Sequence, residues 1–164
     1  MPQHRYSAIP RVLCFLRHGE RWLLIHRAAD RRLYPGLYNG IGGHVEQGEG
    51  ILAAARRELQ EEAGVRSPNL HLRGVLHETE SQTGVLVFVF SGTTTSLEVS
   101  ASDEGTPVWV TTEEMARLPL VPDVPAILAR LIAMRPEDPP FTACSTSDGL
   151  GHQVVTVFEE GHGG

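Results

Sequence analysis

Positive charge, cysteine and long apolar runs are all scarce in this chain. Against 14 Lys and Arg stand 20 Asp and Glu, a formal net charge of −6, which excludes the broad basic surface that grips a nucleic-acid polymer. A phosphate-bearing partner must therefore be attracted by something more local than bulk charge. Two cysteines in 164 residues exclude a disulfide framework, and Cys14 and Cys144 lack metal-ligand spacing. Cys14 lies in an apolar run and reads as a buried thiol. No apolar stretch nears the ~20 residues of a membrane span. The opening MPQHRYSAIPRVLCFLRHGE is broken by Arg11 and Arg17 and has no cleavage site. These absences predict a cytoplasmic protein with no membrane partner, and the length suits one domain with a substantial core.

What is present reads first as strands. RVLCFLR and RWLLIHR flank the turn signal His18-Gly19-Glu20, which predicts a hairpin. DRRLYPGLYNGIGG reads as a loop around a short strand, with Pro35-Gly36 in a turn. Helical periodicity runs from Gly50 to Ala63. LHLRGVLHETES and TGVLVFVFSG predict two strands joined near Gly84, and TPVWVT another. TTEEMARL predicts a short helix capped by Thr111 or Thr112, and VPAILARLIAMR a second amphipathic one. RPEDPP reads as a linker. FTACSTSDGLGHQVVTVFEE reads as a hairpin turning at Asp148-Gly149, and GHGG as a disordered end. Strands around one central helix, with helices later, imply an α/β fold with a mixed sheet covered by helices.

The central helix carries its charge at the wrong end. At about 100° per residue, Glu58, Glu61 and Glu62 fall within roughly a 100° arc. Ile51, Leu52, Ala55, Leu59 and Ala63 form the neighbouring core face, and Gly64 is placed for a left-handed C-cap. Like charges at i, i+4 cost about 0.2–0.5 kcal/mol per pair, and anions in the last turn oppose the helix dipole by ~0.3–1 kcal/mol each. Arg57 can pair with Glu61 but cannot neutralise the cluster. Two readings follow: a solvated acidic face, or a site for a divalent cation. Oxygen ligands without His or Cys suit Mg²⁺ or Mn²⁺ better than zinc.

The stretch GHVEQGEGILAAARRELQEEAGV, from Gly43 to Val65, satisfies G-x5-E-x7-R-E-U-x-E-E-x-G-U, where U is a bulky aliphatic. Gly43, Glu49, Arg57, Glu58, Leu59, Glu61, Glu62, Gly64 and Val65 fill every defined position. It resembles the Nudix box of the Nudix hydrolases, and the strand order on either side resembles that family's α/β/α sandwich over roughly residues 8–135. The resemblance implies a Nudix domain over residues 1–135. A Pro-rich linker at 136–140, a C-terminal β-hairpin extension at 141–158 and a disordered tail at 159–164 complete the predicted organisation. The extension lies outside the resemblance, with two roles open: closing over the substrate, or adding a strand to a partner in a homodimer.

Nudix enzymes hydrolyse a nucleoside diphosphate linked to another group, using Mg²⁺ held by glutamates. Carried over by position, the resemblance makes Glu58, Glu61 and Glu62 metal ligands, joined by the carbonyl of Gly42 or Gly43. It makes Glu49 a further ligand or a partner of the ligands, and Arg57 the group that orients these carboxylates. The resemblance offers two proton acceptors for water, a glutamate of the box, Glu58 foremost, or Glu104; the latter stands five residues before Trp109, as the family's base or extra ligand often does, and otherwise reads as a loop-surface charge. Arg27, ending LLIHR, resembles the phosphate-contacting arginine of triphosphate-cleaving members, or else is a solvent-facing strand residue. His26, His44, His71 and His77 read as polar surface positions rather than ligands. His44 departs from the Lys of many nucleotide-sanitising relatives.

LYNGIGGHVEQGE resembles the W-N-G-x-G-G-K segment of MutT-type 8-oxo-dGTP diphosphatases. There the Asn contacts the purine, which implies that role for Asn39, with Tyr38 offering an aromatic surface to the base; Asn39 otherwise reads as a left-handed turn residue before Gly40. The Pro that ADP-ribose hydrolases carry about fifteen residues past the box is absent, as is the NADH-type SQPWPFPxS. A purine nucleoside triphosphate, ordinary or oxidised, is therefore the expected small-molecule partner. A nucleotide sugar or dinucleotide, and a non-catalytic nucleotide-sensing module, are the alternatives; the intact glutamates speak against the last.

Overall fold

Alternation along the first strand sets the architecture of the chain, seen here in a computed structural model that describes residues 4–66, 68–79, 82–147 and 154–159. In β1 (Ser7–His18) the side chains of Val12, Cys14 and Leu16 point to one face and those of Leu13 and Phe15 to the other, and all five are buried. A strand whose two faces are both apolar must be covered on both sides. One face packs against α1 (Ile51–Ala63) through Ala54, Ala55, Leu59 and Ala63. The other packs against α3 (Val124–Ala133) through Val124, Ile127, Leu128 and Leu131. The result is a helix–sheet–helix sandwich with a separate apolar core on each side of the sheet.

The remaining strands among the described residues are β2 (Arg21–Arg27), β3 (Tyr38–Asn39), β4 (Ile41–His44), β5 (Asn69–Glu78), β6 (Thr83–Thr93), β7 (Gly105–Thr111), β8 (Phe141–Ser147) and β9 (Val154–Glu159). They run in the order β3-β2-β1-β6-β5-β8-β9, with β4 beside β1 and β7 beside β2. The sheet is mixed: β1 runs parallel to β6 from Ser7 to Arg17, β5 parallel to β8, and the other pairs are antiparallel. The β1–β2 hairpin turns at Gly19-Glu20, where Gly19 takes φ +60°. Thr111 caps α2 (Thr112–Met115): its hydroxyl accepts from the Glu114 N–H, and the Glu114 carboxylate accepts from the Thr111 N–H.

The stretch after α3 is pinned. Arg73, buried at a bulge in β5, donates to the carbonyls of Arg135, Pro136 and Asp138. β8 and β9 then extend the chain's own sheet, and Phe141 and Ala143 enter the α3-side core. The Asp148-Gly149 turn and the GHGG end lie outside the described residues. No helix among those described is long and apolar enough to cross a membrane.

The core face of α1 differs from the expectation in one respect. Leu52 is 38% exposed, and Glu58 and Glu62 are buried instead, beside Ala54 and Ala55. The helix is rotated so that two of its carboxylates turn inward toward β4. A pattern of apolar residues alone places the seam elsewhere, because it assigns every glutamate to solvent.

Candidate active site

The site begins where β4 lies alongside β1, with Gly42 opposite Leu13 and Gly43 opposite Val12. A side chain at Gly42 would run into the Val12 carbonyl, and one at Gly43 would overlap the Glu58 carboxylate. The two glycines thus let the carboxylates of α1 come down onto a bare backbone. α1 has no acidic residue in its first turn and no basic one in its last, and it ends at Gly64 with φ +68°. Its negative charge therefore lies toward the end where the dipole is already negative.

Arg57 organises that charge. Its Nε and Nη2 grip Glu49 through both oxygens at 2.7 and 3.0 Å, Nη1 donates to Glu58 at 2.9 Å and Glu61 at 3.2 Å, and Nη2 also donates to the His44 carbonyl at 3.0 Å. Every donor of the guanidinium fork is used. The same bonds hold the Glu49 carboxyl below its ordinary range, with a Glu46 backbone hydrogen bond adding to the effect. His44 contributes its carbonyl here, and its side chain is exposed.

Glu62 has no such partner. Burial comes first, then the charge of Glu58 and a hydrogen bond to it, then the charge of Glu104; together they raise the Glu62 carboxyl well above the usual carboxylate range, and a Gly42 backbone hydrogen bond offsets this only in part. Arg57 stands 2.9 Å from Glu58, so burial and like charge weigh on Glu62. Among the described residues no three His, Cys, Asp or Glu side chains already stand in metal-holding geometry, and Arg57 draws Glu49, Glu58 and Glu61 to itself. The chemistry of the donor set nonetheless fits a hard divalent ion: clustered carboxylates at a negative helix end, two of them buried, and the bare backbone of Gly43 beside them.

Two adjoining spaces open from this cluster. A groove of about 580 Å³ is lined by Glu58, Glu61 and Glu62 of α1 and by Arg27 and the ion-paired Arg31 and Glu104. A cavity of about 360 Å³, within the range of small-molecule sites, continues from it past Asn39 and Tyr34 to Asp123 and Ser145. Arg11, Arg27, Leu33, Gly42, Glu62 and Glu104 border both.

The fold thus brings together most of the residues singled out from sequence. Glu104 stands in a tight turn before β7, a third exposed, ion-paired to Arg31 at 2.8 Å. Arg27 is half-buried and its Nε donates to the Leu33 carbonyl at 3.0 Å. Asn39 borders the cavity, and its Oδ1 accepts from the Gly40 N–H at 2.8 Å. It lies in strand β3 rather than in a left-handed turn: among the described non-glycine residues only Tyr34 has positive φ, +50°.

Tyr38 requires a correction. It is not among the residues bordering the cavity; its ring stacks on His26, centroids 4.4 Å apart and 8° from parallel, and packs toward the α3-side core. Adjacent strand residues point to opposite faces, so Asn39 and Tyr38 do not both face the cavity. Tyr34, by contrast, is among the residues that border it. Arg31, Tyr34, Asp123 and Ser145 were not singled out from sequence, because each lies outside any local motif and reaches the site through chain folding. Asp123, before α3, is held above the usual carboxyl range by burial, with Arg11 pulling the other way.

The sequence matches the NUDIX domain family over residues 8–131. It is 41% identical over 76 residues to the oxidized purine nucleoside triphosphate hydrolase of Danio rerio, a match covering 45% of this chain and 49% of that protein; the chain thus spans about half the length of that relative. It is 26% identical over 122 residues to the nucleoside triphosphatase NudI of Enterobacter sp., covering 66% of this chain and 86% of the relative. The MutT protein of Bacillus halodurans has a similar fold, with a TM-score of 0.78 at 20% identity over 92% of this chain and 97% of that one.

Proposed function

The chain belongs to the Nudix family, and from that premise we propose that it is a divalent-metal-dependent pyrophosphohydrolase of purine nucleoside triphosphates, ordinary or oxidised, yielding a nucleoside monophosphate and pyrophosphate. The observation that carries the proposal is the continuity of the site: a carboxylate cluster clamped by Arg57 opens into an arginine-lined groove, which continues into a base-sized cavity.

Glu58, Glu61 and Glu62 would hold Mg²⁺ or Mn²⁺ with the carbonyl of Gly43, and Glu49 would hold Arg57 in register with them. When bound, the ion supplies positive charge to phosphate oxygens and acidifies a water. Arg57 keeps the carboxylates aligned and, its donors spent, does not reach for substrate. Arg27 keeps its Nη groups available for a phosphate while its Nε stays on the loop. A carboxylate takes the proton from the attacking water: Glu58, at the centre of the cluster, or Glu104, across the groove from it. Asn39, bordering the same cavity as the half-buried Asp123, offers hydrogen bonds to the edge of a purine.

Turnover of a nucleotide panel, with products separated by ion exchange, tests the proposal. Purine triphosphates should yield monophosphate and pyrophosphate with Mg²⁺ or Mn²⁺, and not with a chelator. Preferential cleavage of nucleotide sugars or dinucleotides would replace the substrate class, and no turnover of any candidate would refute the enzymatic reading.

A further inference from the structure

All fourteen cationic Lys and Arg side chains of this chain are arginines. Arg57 is saturated by carboxylates and a carbonyl. Arg31 is different. It sits on the segment between β2 and β3, which passes along the groove and is tied to the loop before β7 by a hydrogen bond from the Ala28 N–H to the Glu104 carbonyl. Its Nη2 makes one contact, to Oε1 of Glu104 at 2.8 Å, and its Nε is buried without a hydrogen-bond partner. Arg57 uses the same Nε and Nη2 edge to hold Glu49 through two oxygens. On Arg31 half of that edge is unfilled.

A buried unpaired donor is costly, and an ion pair a third exposed on each side is a weak holdfast. The arrangement invites exchange for an anion that can meet both donors, and a terminal phosphate, with three free oxygens, matches the fork. Glu104 is at present occupied by Arg31, although its charge is felt by Glu62 across the groove.

We propose that Arg31 reads the terminal phosphate of the substrate and, in turning to it, releases Glu104 to the glutamate cluster. This rests on the nucleotide-hydrolase reading above and narrows its substrate class. A free polyphosphate tail engages Arg31, whereas a diphosphate whose distal phosphate is esterified to a sugar presents fewer oxygens and less charge. Arg31 is then a specificity residue, and tail binding and the freeing of Glu104 are one event.

The test is calorimetric binding of methylene-bridged dGTP and of dGMP to the full chain, with and without Mg²⁺, for the native protein, Arg31→Ala and Arg31→Lys. Arg31→Ala should weaken the triphosphate analogue about tenfold and change dGMP by less than about twofold. Arg31→Lys should recover only part of the loss, because a point charge cannot replace the fork. Equal weakening of both ligands, or of neither, in an Arg31→Ala protein with a native melting curve would overturn the role of Arg31 and leave the enzymatic reading standing. A native protein that binds neither ligand and cleaves no nucleotide overturns both. In steady state the same variant should raise KM for dGTP about tenfold and leave KM for a guanosine diphosphate sugar nearly unchanged; a parallel rise in both would count against it.

Discussion

Burial and the charges of Glu58 and Glu104 weigh on Glu62, and its behaviour without metal is predictable. A carboxyl whose proton affinity is raised on folding binds more protons folded than unfolded across that window. Stability therefore falls as pH rises from the ordinary carboxylate range through the raised value. Urea unfolding of metal-free protein across this range should show that decline, and Glu62→Gln should flatten it while gaining a few tenths to about 1 kcal/mol at the alkaline end. A strong loss of metal-free stability in Glu62→Gln would assign the carboxylate a structural role. Arg57→Ala should act in the opposite sense, freeing Glu49, Glu58 and Glu61 from one clamp, and metal affinity should fall about 10–100-fold. The Arg57–Glu61 pair and the misplaced charge of α1 were legible from residue spacing. The burial of Glu58 and Glu62 was not, since it depends on two glycines on another strand.

At the scale of elements, the site is a contact between the end of one helix and a bare pair of residues in β4. Gly43→Ala should place a methyl group in the Glu58 carboxylate and remove most activity. Thr111→Ala, far from the groove, should cost about 1 kcal/mol of stability through its cap and leave kcat unchanged. Comparing the two by melting curve and turnover separates damage to the site from damage to the fold. The β1–β2 hairpin, α1, the capped α2 and α3 could be read from periodicity and turn residues, because those signals are local. The two-residue strand β3 is too short to show alternation, so which of Tyr38 and Asn39 faces the cavity could be known only from the structure.

For the whole molecule, non-local pairing was the hidden part. The parallel pairs β1–β6 and β5–β8 join segments far apart in sequence, and no turn chemistry announces them. The last strands proved to be part of the same sheet, and β8 part of the cavity wall: Phe141 fills a core position against Gly74, and Ser145 borders the cavity. Ending the chain at Pro140 should therefore destabilise the whole domain, with loss of the Phe141 side chain alone costing about 3–5 kcal/mol. A truncated chain with an unchanged melting temperature would show that β8 and β9 are dispensable. The central claim is that the carboxylates of α1 form a divalent-cation site. Titration with Mn²⁺, following the signal of the free ion by electron paramagnetic resonance, tests it without recourse to activity. The native protein should bind Mn²⁺ in competition with Mg²⁺, and Glu58→Gln and Glu62→Gln should each bind it at least tenfold more weakly, at the low end of such losses. Equal binding by the native protein and both variants, or none by the native protein, would contradict it.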